Sequence, residues 1–464
     1  MLKILTVIVA TMLSAVSYGQ KNLEATWGAW GEISSDFTQY INFGKSFEDT
    51  TGHLLLSVEG RLDAFDANLN KGKSVHLFGA SKDVQILAAA RMHKKPFIVT
   101  AEKQQSIKLY KYNAKTGVAE FEKDLIVAKK LGKVFHTESP DSSMHLFWTC
   151  IPGKSISFYV FDSLFKPQWE RLDLPVQSMS DWFYSPQVNN TGIVAFADTD
   201  KENFLVRVLS DKGKTHKSKG SMLINNKYVN TVSCVSSNTF AFVLLYNKDN
   251  VNYSGADKLQ TVFVDGDANP LAYAEVSLPG ILRDRMVMRI SPMGGYKLRV
   301  VMETFSNTRK ETSNQCIYGA FNVLGIDAEN SALLWHQEIF KNLYFVAPPQ
   351  TIATPFSNEY RDIYGHGFYE YKDVIYLFYA DNCHNCGNIN SDFRSQSSMK
   401  TSCLAMISID SKGSVARHTY SSLPTVKYQI DAASFVQVDA QTVIVKNNAI
   451  QQRIAAVKLN RLDE

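Results

Sequence analysis

The chain has 464 residues, 45% of them hydrophobic and 20% charged, with 49 basic against 45 acidic side chains and a net charge of +4. So even a balance lacks the concentrated basic face that nucleic-acid binding requires. The length also exceeds what one ordinary core sustains, because single cores stop growing near ~250–300 residues.

Residues 1–19 read as an export signal. Lys3 supplies the positive start, Ile4 to Val16 is largely apolar, and Ser17-Tyr18-Gly19 places small residues for cleavage before Gln20. The apolar run is shorter than the ~20 residues a membrane helix needs. No Cys stands at the cleavage point, and no later segment reaches membrane length. The expectation is one exported domain over 20–464, periplasmic or extracellular, with no membrane span.

Along the rest of the chain, short apolar runs end in Asp or Asn and drop into a turn. The copies are Phe65-Asp66, Tyr112-Asn113, Phe161-Asp162, Ser210-Asp211, Val264-Asp265, Ile326-Asp327, Ile409-Asp410 and Leu459-Asn460. The turn residues stand 47, 49, 49, 54, 62, 83 and 50 positions apart. A period near 50 built from strand-like segments predicts an all-β fold, a β-propeller whose repeats are blades. Blades pack only on their neighbours, so a ring of them escapes the limit on core size.

In chain order, the first repeat (Tyr40 to Phe78) is the least regular. The second predicts four strands, at Val84 to Met92, Pro96 to Ala101, Ile107 to Tyr112 and Val118 to Ile126. Ser139-Pro140, Ser185-Pro186 and Ser291-Pro292 are expected to turn the chain between the first two strands of a blade. Leu174-Pro175, Leu278-Pro279 and Leu423-Pro424 fall where an outer strand should stop, since proline cannot donate to a ladder. Lys212, Lys214, Lys217 and Lys219, beside the fourth turn, read as a solvated hairpin. In the last repeat Phe435 to Val438, Thr442 to Lys446 and Arg453 to Leu459 make only three strands. Ala25 to Trp30 is expected to supply the fourth, closing the ring and removing its exposed edges. Eight blades are favoured, with seven as the alternative.

The connections between second and third strands differ in length. The fourth repeat has a short one, Thr199 to Glu202. The fifth to seventh have long ones: Asn247 to Asp257, Ser306 to Gln315 and Asn382 to Ser402. An irregular stretch, Lys341 to Asp362, joins the sixth repeat to the seventh. If the Asp/Asn turns join third and fourth strands, the long loops crowd one sector of the opposite face. Long loops on a rigid scaffold are where recognition usually sits. Its aromatic and arginine side chains are the types that anchor interfaces. The candidate binding residues are Tyr253, Arg309, Tyr360, Arg361, Tyr364, His366, Phe393 and Arg394.

Cys150, Cys234 and Cys316 are scattered, whereas Cys383, Cys386 and Cys403 cluster around the seventh long loop. In an exported chain the default partner of one cysteine is another, so a disulfide within this trio is expected. Bridging the loop stabilises by ~3 kcal/mol in the chain-entropy picture. The metal alternative is a zinc or copper set of Cys383, His384, Cys386 and Cys403. Covalent haem is excluded, because Gly387 follows the second cysteine where that motif needs histidine. Three Gly-Lys-Ser tripeptides, at Gly44, Gly72 and Gly153, lack the earlier glycine of a phosphate loop. No metalloprotease helix, nucleophile elbow or dinucleotide fingerprint is present, so no cofactor is expected.

Ile326-Asp327-Ala328-Glu329-Asn330 followed by Leu334-Trp335 resembles one blade of the quinoprotein-type propellers, whose repeats carry a turn Asp and a docking Trp. Phe161-Asp162 with Trp169 is a fainter copy. The other repeats lack the Trp, and the adjacent cysteine pair of quinone-dependent dehydrogenases is missing, so the resemblance does not imply that activity. Ser139-Pro140-Asp141 before Leu146-Phe147-Trp148 resembles the repeat of propellers from periplasmic scaffolding proteins. As a whole the chain is similar to uncharacterised exported propellers of Gram-negative bacteria. These readings converge on a non-enzymatic exported propeller that binds a protein or glycan through the loops of blades five to seven. The alternative is a secreted polysaccharide hydrolase or lyase with carboxylates lining the central channel.

Overall fold

The computed structural model describes residues 21–23, 25–27, 31–32, 40–45, 52–57, 60–66, 68, 70, 72, 74–78, 84–92, 95–113, 116–128, 131–177, 186–200, 203–210, 214–217, 229–236, 238–246, 258–278, 284–308, 315–340, 345–347, 367–371, 373–381, 403–420, 435–437, 442–447 and 453–459. They form eight small sheets. Sheet one comprises Tyr40–Lys45, Gly52–Ser57, Arg61–Asp66 and Val75–His76. Sheet two comprises Val84–Met92, Lys95–Glu102, Ser106–Asn113 and Val118–Val127. Sheet three comprises Val134–Glu138, Met144–Ile151, Ser155–Asp162 and Pro167–Pro175, and sheet four Gln187–Val188, Val194–Asp200, Asn203–Ser210 and Lys214–Lys217. Sheet five comprises Val229–Ser236, Thr239–Tyr246, Lys258–Asp265 and Pro270–Ser277. Sheet six comprises Asp284–Pro292, Lys297–Thr308, Gln315–Asp327 and Ala332–Phe340. Sheet seven comprises Gly367–Tyr371, Val374–Asp381, Cys403–Ile409 and Val415–Tyr420, and sheet eight Phe435–Gln437, Thr442–Asn447 and Arg453–Leu459.

Within these sheets, consecutive strands pair antiparallel as meanders, and the repeat read in the sequence is the sheet. The first strands of successive sheets touch from sheet one to sheet six, from seven to eight, and from eight back to one. This is a β-propeller. Among the described residues no helix is long and apolar enough to cross a membrane.

The core lies between sheets, and that explains the composition of the strands. In Ser155–Asp162, Ile156, Phe158 and Val160 pack toward Phe196 and Val206 of sheet four. The intervening Tyr159 and Phe161 pack toward Phe97 and Val99 of sheet two. A strand buried on both faces must be apolar throughout, whereas a one-sided strand alternates. The outer strand Pro167–Pro175 is mostly exposed and carries the charge.

The turn Asp and Asn residues join third and fourth strands wherever both are described. Asp162 Oδ1 accepts the backbone N–H groups of Leu164 at 2.8 Å and Lys166 at 2.9 Å. Asp265 does the same for Asp267 and Asn269, and Asp410 for Lys412 and Ser414. A short acceptor side chain two residues before an open N–H closes such a turn without help from the ladder. The N–H of Asn70 likewise holds the Asp66 carboxyl below its ordinary value. Asp211 and Asn460 lie outside the described residues.

Two tryptophans each dock one sheet onto the next. Trp169, on the outer strand of sheet three, donates Nε1–H to Gly192 O of sheet four at 2.9 Å. Trp335, on the outer strand of sheet six, donates to Ser411 O of sheet seven at 3.2 Å.

Several expectations change. Ser185-Pro186 precedes the first strand of sheet four. The turn after that strand is built by Asn189, whose Oδ1 accepts Thr191 N and Ile193 N. Ser139 does serve the expected turn, accepting Met144 N at 3.0 Å. The sixth hairpin is longer than expected: Ser306 to Thr308 remain in strand, with Thr308 opposite Cys316. Within the stretch read as irregular, Phe345–Ala347 pairs antiparallel with Gln315–Ile317.

At the N-terminal side, Ala25–Trp27 lies antiparallel on the edge of sheet eight, with Ala25 opposite Leu459 and Trp27 opposite Val457. Gly31–Glu32 continues along the same strand. Unforeseen in the sequence, Lys21–Leu23 adds a parallel fifth strand to sheet seven, Lys21 opposite His418. Residues 1–19, read in the sequence as an export signal, lie outside the described residues.

Candidate functional site

A meander places its turns alternately on two faces. One face carries the first-to-second and third-to-fourth turns, and the other carries the second-to-third connections. On the second face the described strand ends set the spacing. Sheet three turns from Ile151 to Ser155, and sheet two from Glu102 to Ser106. Sheets five, six and seven break from Tyr246 to Lys258, Thr308 to Gln315, and Asp381 to Cys403. Long connections therefore fall on sheets five and seven of one face, while sheet six between them lengthens its hairpin by strand and leaves only 309–314 as connection, close to the 448–452 of sheet eight. Tyr253, Arg309, Tyr360, Arg361, Tyr364, His366, Phe393 and Arg394, with Cys383, His384 and Cys386, lie outside the described residues. Cys403 opens the third strand of sheet seven opposite Asp381.

The first face holds a cavity of about 690 Å³, lined by Thr239, Pro292, Met293, Gly294, Gly295, Tyr296, Arg299, Asp373 and Ser411. These residues come from the first-to-second turns of sheets five, six and seven and the third-to-fourth turn of sheet seven. Arg299 anchors its wall. It is 1% exposed and donates to Asp373 O at 2.8 Å, Ile409 O at 3.0 Å and Glu370 Oε1 at 3.0 Å. Ser291 Oγ donates to the other Glu370 oxygen at 2.8 Å. Tyr296 stands edge-on to Phe263, ring centres 5.5 Å apart. Sequence reading missed this site because its partners come from three repeats. The one local signal is Arg299 itself, a charge inside the apolar run Leu298 to Met302.

A second polar cluster lies between sheets two and three. His136 Nε2 and His145 Nδ1 are 3.2 Å apart, one donating to the other. His145 is 2% exposed and stacks on Phe165, while His136 tilts onto Phe147. Burial, with His145 adding to it, pushes His136 down to about 3. Burial pushes His145 down to about 4 against the opposing pull of Asp162. Both rings are therefore neutral in the fold, while the unfolded chain takes up their protons below pH ~6.5. Their contribution is whole above that pH and is lost as pH falls toward 4 for His145 and toward 3 for His136, by at most about 1.4 kcal/mol per pH unit for each ring. Glu138 opposes this at the lower end, since burial raises its carboxyl above the ordinary 4.5. The melting temperature should fall between pH 6.5 and 5, and a His136→Phe/His145→Phe variant should fall less steeply. Equal slopes would remove the pair from the account.

No protein-family model matches the chain, and none of the curated proteins does. Among solved structures, BamB from Moraxella catarrhalis is similar at 11% identity and TM-score 0.40, covering 94% of this chain and 97% of that one. The WD40 domain of SCAP from fission yeast is similar at 9% identity and TM-score 0.42, covering 93% and 98%. A puromycin hydrolase S511A mutant complexed with PGG reaches 11% identity and TM-score 0.36, covering 78% and 59%. Likeness at this level transfers no activity, ligand or partner.

Proposed function

We propose that the chain is an exported, non-enzymatic binding propeller of eight blades. Its ring is closed through the N-terminal strand, and blades five to seven recognise a protein or glycan with their loops. The observation that carries the reading is that blades five and seven have long second-to-third connections and blade six, between them, has an extended second-to-third hairpin on the same face. Insertions serving only as decoration have no reason to share a face and a sector. Loops held on a rigid scaffold make contact surface without disturbing the core. Closure is supported by the pairing of Ala25–Trp27 with Arg453–Leu459 and by the contact between the first strands of blades eight and one.

Replacing Tyr360, Arg361 and Arg394 together with alanine should lower partner capture from envelope extracts at least tenfold at an unchanged melting temperature. Capture equal to that of the wild type would refute the loop assignment.

A further inference from the structure

We propose that the cavity at the turns of blades five, six and seven is a second binding site, specific for a neutral saccharide. It lies on the face opposite the long loops, so its test is independent of theirs. At about 690 Å³ the space falls within the range of small-ligand pockets. The lining decides the ligand class. Arg299 is the cation of the wall, but its guanidinium donates to Glu370, Asp373 O and Ile409 O, and Asp373, an acidic residue, also borders the space. An anion would meet an arginine already matched by Glu370 and facing the nearby carboxylates of Asp373 and Asp410. A wholly apolar ligand would strip water from Thr239, Ser411 and Asp373 without repaying their hydrogen bonds, which is costly.

A sugar fits both halves of the lining. Its hydroxyl groups donate to the Asp373 carboxylate and exchange bonds with Thr239 and Ser411. Its C–H faces pack on Met293, Pro292 and the negative face of the Tyr296 ring. Arg299, clamped between blades six and seven, keeps the Asp373 turn in place and acts as a positioning residue. The site is preformed because each lining segment is a tight turn. Lys297 N donates to Gly294 O at 3.3 Å and Met293 N to Lys297 O at 2.9 Å.

The test uses the full mature chain on immobilised cello-, malto-, xylo- and β-1,3-gluco-oligosaccharides beside uronate and sulfated counterparts. Retention of at least one neutral series above its charged counterparts is expected. The Tyr296→Ala and Asp373→Asn variants should each bind at least tenfold more weakly. Asparagine accepts the left-handed backbone at position 373, where φ is 63°, and Tyr296→Phe keeps the packing, so a folded variant is assured for comparison. The Tyr360/Arg361/Arg394 alanine variant should bind the sugar as the wild type does. The proposal is overturned if no neutral series is retained, if the charged series bind better, or if the Tyr296 and Asp373 variants bind unchanged.

Discussion

Gly413→Val is expected to destabilise the protein by about 3 kcal/mol or more, the sum of backbone strain and overpacking. Gly413 adopts φ 83°, which a β-branched residue scarcely tolerates. A Cβ there would lie 2.5 Å from Trp335 Cδ2 and 2.8 Å from its Cγ. Neither ring nor turn can yield, because Trp335 is tied to Ser411 O and Gly413 N donates to Asp410 O at 3.1 Å. Gly192 offers a graded control. Its φ is 82°, yet a Cβ would meet Val160 at 3.6 Å and Trp169 at 3.8 Å. Gly192→Ala should therefore cost only the backbone term, about 1 kcal/mol. Urea midpoints of the two variants measure the difference. Equal losses would mean that tryptophan docking does not hold blade six to blade seven.

Glu370→Ala should cost about 3 kcal/mol, because it strands a buried guanidinium. Arg299 is almost wholly buried, while the Glu370 side chain is 30% exposed, so the penalty falls on the arginine. Replacing both as Arg299→Met and Glu370→Leu should be far milder, since desolvated pairs return little beyond their own burial cost. Thermal unfolding of the single and double variants checks this. A Glu370→Ala protein as stable as wild type would remove the clamp between blades six and seven.

What the sequence disclosed follows from how local each requirement is. The Asp and Asn turns were legible because each side chain satisfies N–H groups two to four positions ahead, so the signal sits within five residues. The second repeat's strands were legible to within a residue, and the end of the third coincides with such a turn, at Asn113. The docking Trp was visible through its resemblance to quinoprotein repeats, and Trp169 and Trp335 both reach the next sheet. Ser185-Pro186 misled because Asn189 performs the capping that Ser139 performs one blade earlier. The 62-residue step was hidden in ladder length: Lys297–Thr308 and Gln315–Asp327 continue pairing where a loop was read. The cavity was illegible for a different reason. Arg299 meets partners 71 to 110 positions away, a separation that no local pattern records.

The closed wheel is tested most directly by a cysteine pair at Thr26→Cys and Lys458→Cys, which face each other across the proposed closing ladder. Mild oxidation of the folded protein should give an intramolecular disulfide between these two positions, found by peptide mapping and abolished when oxidation is done in urea. Failure to form that bond, or its formation only between separate molecules, would contradict the ring.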